Sequence, residues 1–172
     1  MVDRDSLRAE GQQSLSRKLL TLYRNYQALA AAKYAARGYQ GLSMAHTFLI
    51  ANIDDGGTRI VDLATRMGTT KQFAGRLVQE LAARGMVETA PDRSDRRAMR
   101  VRGTERGWKF LEEACAARAE IEREYQALLG DTLMHSLVAA VDQLTHYVPD
   151  GAPGAGGVSA ARTKCVRKQR RC

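Results

Sequence analysis

Between Ile60 and Thr104 the apolar pattern switches from a helical to an alternating period and back again, and few folds accommodate that succession in so short a stretch. Ile60, Leu63, Ala64 and Met67 stand at i, i+3, i+4 and i+7, one face of a helix. Gly68 then ends it, because glycine takes the left-handed backbone angles that helix ends need. Thr69 is expected to supply the next N-cap oxygen, with Gln72 at the capping-box spacing. The spacing predicts a second helix over 70–84, with Phe73, Leu77, Val78 and Leu81 inward and Gly85 just past its end. Two helices joined by a turn of about three or four residues form a helix-turn-helix, whose second helix is the one that enters a DNA major groove.

The residues left on the outer face suit that task. Lys71 and Arg76 can pair with phosphates or guanine edges, and Gln72 and Gln79 can bond adenine edges. Thr70 and Gly75 are small and would let the helix backbone come close to a duplex. Taken alone, the same set also describes an ordinary solvated helix face.

The following segment separates these readings. Met86–Thr89 and Ala98–Arg102 read as paired strands, with Pro91–Arg97 as the hairpin between them. That loop, P-D-R-S-D-R-R, holds three arginines and two aspartates. Several guanidinium groups on one hairpin tip call for an anion, and the DNA minor groove is a negative slot that attracts inserted arginine. Arg93, Arg96 and Arg97 are the candidate contacts, and Asp95 stands where it can orient Arg97 through a paired hydrogen bond. A soluble loop without a partner is the competing reading. The whole is a winged helix-turn-helix: mainly α with a small β-wing.

The residues L-A-T-R-M-G, T-K-Q-F-A-G-R-L-V-Q-E-L-A-A-R-G-M-V-E, D-R-S-D-R-R-A and T-E-R-G-W resemble the multiple-antibiotic-resistance regulator (MarR) family of bacterial transcription factors. The D-x-R signature falls on Asp95 and Arg97, and T-x-x-G on Thr104 and Gly107; the specific match spans roughly residues 58–110. Two positions depart from the pattern. Gly103 stands where leucine is usual, and Arg59 where a capping Ser or Thr is usual. The resemblance implies a homodimer made by the first and last helices, on a pseudo-palindromic double-stranded operator. It also implies an effector pocket between those helices and the DNA-binding lobe, taking small aromatic or anionic compounds. Tyr23, Tyr39 and His46, with Tyr34 nearby in sequence, are the candidates for it, each with core packing as its alternative role.

At 172 residues the chain fits one compact assembly of helices with enough length for a core. The formal charge is +8, but six basic residues and no acid lie in the last thirteen positions, so the cationic character of the rest is local, from Lys71 to Arg106. An excess of that sign favours an anionic partner such as nucleic acid. Three cysteines make no disulfide framework, no apolar run approaches membrane-spanning length, and the N-terminus has no signal-peptide core; these imply a cytoplasmic protein without a membrane partner.

Leu15, Leu19, Leu22, Tyr26 and Leu29 step by four, three, four and three, a seam on a helix expected from about Asp5 to Arg37. The expected organisation is a dimerisation helix over 1–38, a DNA-binding lobe over 42–103, dimerisation helices over 104–148 and a flexible basic tail over 149–172. A helix over Leu42–Asp54 is expected to bury Phe48, Leu49 and Ile53. The long helix after Thr104 is expected to turn Trp108, Leu111, Cys115, Ala119, Tyr125 and Leu128 inward, and the last to carry Leu133, Leu137, Val141, Leu144 and Val148 as its stripe.

His46, His135 and His146 lie far apart, without cysteine or carboxylate at metal-ligand spacing, and no phosphate loop, nucleophile elbow or dinucleotide fingerprint occurs. No cofactor, metal or enzymatic activity is expected. Some MarR relatives sense oxidants through a cysteine of the first helix, which has none here, and Cys115 in an apolar stripe is inert by default. The expectation is a ligand-responsive dimeric repressor that reads DNA with the 70–84 helix and the arginine wing. A winged-helix module that binds a protein, or an architectural DNA binder without effector, would use the same elements.

Overall fold

The first long apolar seam forms a helix, but a shorter one than its periodicity suggests. In the computed structural model, which describes Asp3 and residues 11–92 and 98–147, α1 runs over Leu15–Ala36. Ser14 sets its start: the hydroxyl accepts the Arg17 N–H at 3.3 Å and donates to the Gly11 carbonyl at 2.8 Å. The helix stops at Arg37, and Gly38 takes a φ of +85°. The seam residues Leu15, Leu19, Leu22 and Leu29 are exposed on the single chain, whereas Ala30 and Tyr34 are buried. The described residues divide into two compact units, Met1–Met44 and Ala45–Cys172.

The second unit holds nearly all of α2 (Met44–Ala51), then β1 (Thr58–Arg59), α3 (Ile60–Arg66), α4 (Lys71–Ala83), β2 (Val87–Pro91), β3 (Met99–Gly103), α5 (Glu105–Leu129) and α6 (Asp131–Thr145). In α2 the buried residues include His46, Leu49 and Ile50, continued by Ile53 in the i, i+3, i+4, i+7 pattern, with Thr47 beside them. Phe48, expected in the core, points off that stripe and is 48 % exposed. In α3, Leu63 and Ala64 are buried as the spacing requires, and Gly68 at φ +60° closes the helix.

The helix-turn-helix forms, with its cap one residue later than expected. Thr70, not Thr69, is the N-cap of α4, its oxygen accepting the Phe73 N–H at 3.2 Å. Thr69 instead donates its backbone N–H to the Ala64 carbonyl at 2.9 Å, finishing α3. The inward face of α4 is Ala74, Leu77, Val78 and Leu81, so Ala74 holds the core place expected for Phe73.

The three strands pair antiparallel in the order β1-β3-β2, with Thr58 opposite Val101 and Thr89 opposite Val101 on the other side. The β1 strand was not among the expected elements; two residues carry no readable period. Both hairpin strands sit about one residue later than the alternation suggests, which takes Pro91 out of the loop and into β2. The wing residues 93–97 and the tail from 148 onward lie outside the described residues.

Thr104 and Gly107 show why the T-x-x-G spacing matters. The Thr104 hydroxyl accepts the Gly107 N–H at 3.2 Å and donates to the Gly85 carbonyl at 2.8 Å, while the Thr104 N–H bonds the Met86 carbonyl at 3.1 Å. This draws the first turn of α5 so close to the Met86 carbonyl that a β-carbon at Gly107 would collide with it. Gly103 has its own neighbour: a β-carbon there would lie 2.5 Å from Trp108 Cζ2, so the indole packs where a side chain at 103 would stand. Trp108 is therefore 37 % exposed and lies outside the α5 core, which is Phe110, Ala114, Ala117 and Ile121. The stripe expected for α5 followed its bulkier residues, whereas alanine allows the closest packing. In α6 no residue is buried, and Leu133, Val141 and Leu144 are exposed.

Gly107→Ala is expected to lower stability by about 1–3 kcal/mol, the usual cost of forcing an extra carbon into a packed contact. A urea midpoint equal to that of the unsubstituted chain would show that α5 can move away from Met86 freely.

Candidate nucleic-acid interface

The outer face of α4 follows from its cap. With Thr70 fixing the first turn and Leu77, Val78 and Leu81 held in the core, helical geometry leaves Lys71, Gln72, Gly75, Arg76 and Gln79 outward. Lys71, Gln72, Arg76 and Gln79 are exposed, as is Thr70. Thr70, Gln72, Gly75, Arg76 and Gln79, all expected on this face, line one open depression of about 600 Å³, joined by Phe73. The ring of Phe73 is only half-buried and carries the Arg76 guanidinium 5.1 Å above its centroid. Gly75 needs no special backbone angle, and a β-carbon there would meet nothing within 4 Å, so packing does not demand a glycine.

Behind this face, Glu80 ties α4 to α2. One carboxylate oxygen meets His46 Nε2 at 2.8 Å and the other lies 3.8 Å from Arg76 Nε. Burial pushes the His46 imidazole below its ordinary value, aided by the positive charges of Arg84 and Arg76 and opposed by Glu80. His46 is thus a buried core histidine bound to the second helix. Tyr23, 49 % exposed, and half-buried Tyr39 belong to the first unit; the Tyr23 hydroxyl accepts from Gln27 Nε2 at 3.0 Å.

The base of the wing is built on a carboxylate that sequence reasoning placed in the loop. Asp92 is 2 % exposed. Arg59 donates to both of its oxygens, Nε at 3.1 Å and Nη2 at 3.2 Å, and Arg100 donates from Nε at 2.9 Å. Arg100 also donates from Nη1 to the Gly57 carbonyl at 2.6 Å. Arg59 and Arg100 are register partners across β1 and β3, which is why both reach one carboxylate. Arg59 occupies the N-cap of α3 without a side-chain cap bond; its guanidinium is committed to Asp92 instead of to the helix end. A buried Asp beside two facing arginines leaves a sequence signal only once strand register is known. The remaining wing candidates, Arg93, Asp95, Arg96 and Arg97, lie outside the described residues.

The architecture is a mainly helical winged helix-turn-helix with a small antiparallel sheet, the type of fold that presents one helix to a DNA major groove. Residues 40–98 match the model of the MarR family. The match takes in α2, the helix-turn-helix and β2, and leaves out the long flanking helices. Solved structures agree on the fold. MarR of E. coli in its apo form is 16 % identical with a TM-score of 0.64, covering 76 % of this chain and 96 % of its own. The MepR–DNA complex of S. aureus is 16 % identical at TM-score 0.63, with the same coverage of 76 % and 96 %. BpsR of Bordetella bronchiseptica, described by regulation of its DNA binding by 6-hydroxynicotinic acid, is 17 % identical at TM-score 0.65, covering 80 % and 96 %. No curated protein matches the chain. Among the described residues no helix is long and apolar enough to cross a membrane.

His46 makes stability depend on pH. Its folded value lies below the ordinary 6.5, so between the two the unfolded chain binds more protons and stability rises with pH. The urea midpoint is expected to climb as pH rises toward about 6.5 and to level off above it. His46→Gln should flatten that part of the profile; an unchanged slope would assign the dependence to other groups.

Proposed function

We propose that this protein is a sequence-specific regulator of transcription that binds double-stranded DNA as a homodimer, laying α4 in the major groove and the arginine wing in the neighbouring minor groove. The observation that carries the proposal is the outer face of α4: a capped helix presenting Lys71, Gln72, Arg76 and Gln79 around an unneeded glycine. Glycine inside a helix costs roughly 1 kcal/mol relative to alanine, and neither packing nor backbone angle explains it here. Close approach of the helix to another surface does. The polar set matches base edges and phosphates, with Lys71 on the backbone and Gln72, Arg76 and Gln79 on the bases.

In the wing, Arg93, Arg96 and Arg97 supply the minor-groove cations and Asp95 orients Arg97, a role assigned from their sequence alone. The exposed leucines of α1, and separately the exposed Leu133, Val141 and Leu144 of α6, offer apolar faces to a two-fold dimer. A dimer of this kind takes a pseudo-palindrome with half-sites about one helical turn, ~10 bp, apart. Monomeric behaviour in sedimentation at micromolar concentration would sink that part of the reading. We further propose repression relieved by a small aromatic or anionic effector. The effector response of BpsR on the same fold supports it. Such a ligand acts only by favouring one separation of the two reading helices.

The Gly75→Ala variant separates structure from function. It should stabilise the chain by roughly 0.5–1 kcal/mol and at the same time weaken operator binding. Lys71→Ala should weaken all sequences alike and reduce the salt slope by about one, whereas Gln72→Ala should change sequence preference. Arg97→Ala should lower operator affinity by about tenfold or more. Titrations of genomic and random duplexes across salt concentrations check all four. Gly75→Ala binding DNA as tightly as the unsubstituted chain would remove the main support.

A further inference from the structure

We infer that Phe73 and Arg76 together read a thymine beside a guanine in each DNA half-site, the thymine being recognised by its 5-methyl group. The inference rests on the DNA-binding reading above and deepens it. On an otherwise polar helix face the Phe73 ring is only part-buried, the core place beside it being taken by Ala74, and the Arg76 guanidinium lies over it. The major groove displays one apolar group, the thymine methyl, and phenylalanine is among the side chains that contact it. Phosphate and sugar offer the ring nothing comparable.

Arg76 gives the ring its setting. The guanidinium stands 5.1 Å over the Phe73 centroid, with Nε 3.8 Å from Glu80, whose other oxygen is held by His46 at 2.8 Å. A planar fork lying over a ring, with a carboxylate on its other side, loses less freedom on meeting a guanine edge, the commonest specific contact of arginine. Because the fork lies over the ring, the two reach neighbouring bases. Gly75, one position before Arg76, leaves the helix bare on the side where the duplex must come close enough for the ring to touch a methyl group.

The test uses the full chain and a randomised duplex library, followed by replacement of each selected thymine by uracil, which deletes one methyl group and leaves base pairing intact. One thymine per half-site, flanked by guanine, should lose about fourfold in affinity on replacement, the value of one methyl group withdrawn from water. Phe73→Ala should bind the thymine and uracil duplexes alike, and Arg76→Ala should lose the preference for the flanking guanine. Should Phe73→Ala not fold, the uracil series on the unsubstituted chain decides alone. Insensitivity to every replacement, or retained methyl dependence in Phe73→Ala, overturns the inference while leaving DNA binding in place. A library from which no sequence is enriched overturns the DNA-reading role itself, and this inference with it.

Discussion

The winged lobe depends on one buried carboxylate. Removing Asp92 from water is unfavourable unless cations and donors surround it, and Arg59 and Arg100 supply both from facing positions on β1 and β3. This bond set joins the strand before the helix-turn-helix to the strand that returns from the wing. A third attachment, from Arg100 to the Gly57 carbonyl, holds the turn that precedes β1. Two guanidinium groups on one carboxylate also leave a surplus positive charge where the wing begins, the sign that a polyanion favours. The base of the hairpin is thereby fixed independently of whatever its tip meets.

From that base the second helix is oriented by ordinary packing. Leu77, Val78 and Leu81 join Leu63 and Ala64 in a common core, and Glu80 adds a directional bond to His46 of α2. Hydrophobic burial alone would let α4 turn about its axis by a fraction of a residue, because the core set spans a wide stripe. A hydrogen bond at 2.8 Å on one edge of the stripe restricts that rotation, so the outer face keeps its aim.

How far the sequence could be read differs by element, for physical reasons. The helix-turn-helix and wing were legible because turn glycines and apolar periods agree there. The glycines at 68 and 85 do take positive φ, at +60° and +66°. Readings slipped where two residues of one type compete, as with Thr69 and Thr70 for the cap. They also slipped where bulk was mistaken for burial. Phe48, Phe73, Trp108 and Leu128 look like core residues, yet the buried faces of their helices are completed by Ile50, Ala74, Phe110 and Ala117. The Asp92 cluster was illegible because charge pairing across strands depends on register, which one residue of slippage reverses. The two departures from the family pattern were visible but not their meaning: Arg59 serves Asp92, and Gly103 makes room for Trp108.

These slips share a direction. On α4, a large apolar side chain is left only part-buried and a glycine interrupts a well-capped helix, and the glycine lowers the stability available to that helix alone. A helix selected for folding only would carry a polar residue at 73 and alanine at 75. Departures from local optima concentrated on one outward face, while the inward face keeps regular packing, support the binding role proposed for that face. The same reasoning separates α4 from α6: the exposed leucine and valine residues of α6 raise no conflict with helix propensity, and need only a second apolar surface. Recognition of a patterned polar partner requires what α4 gives up, namely a bare backbone and a ring held at a fixed place.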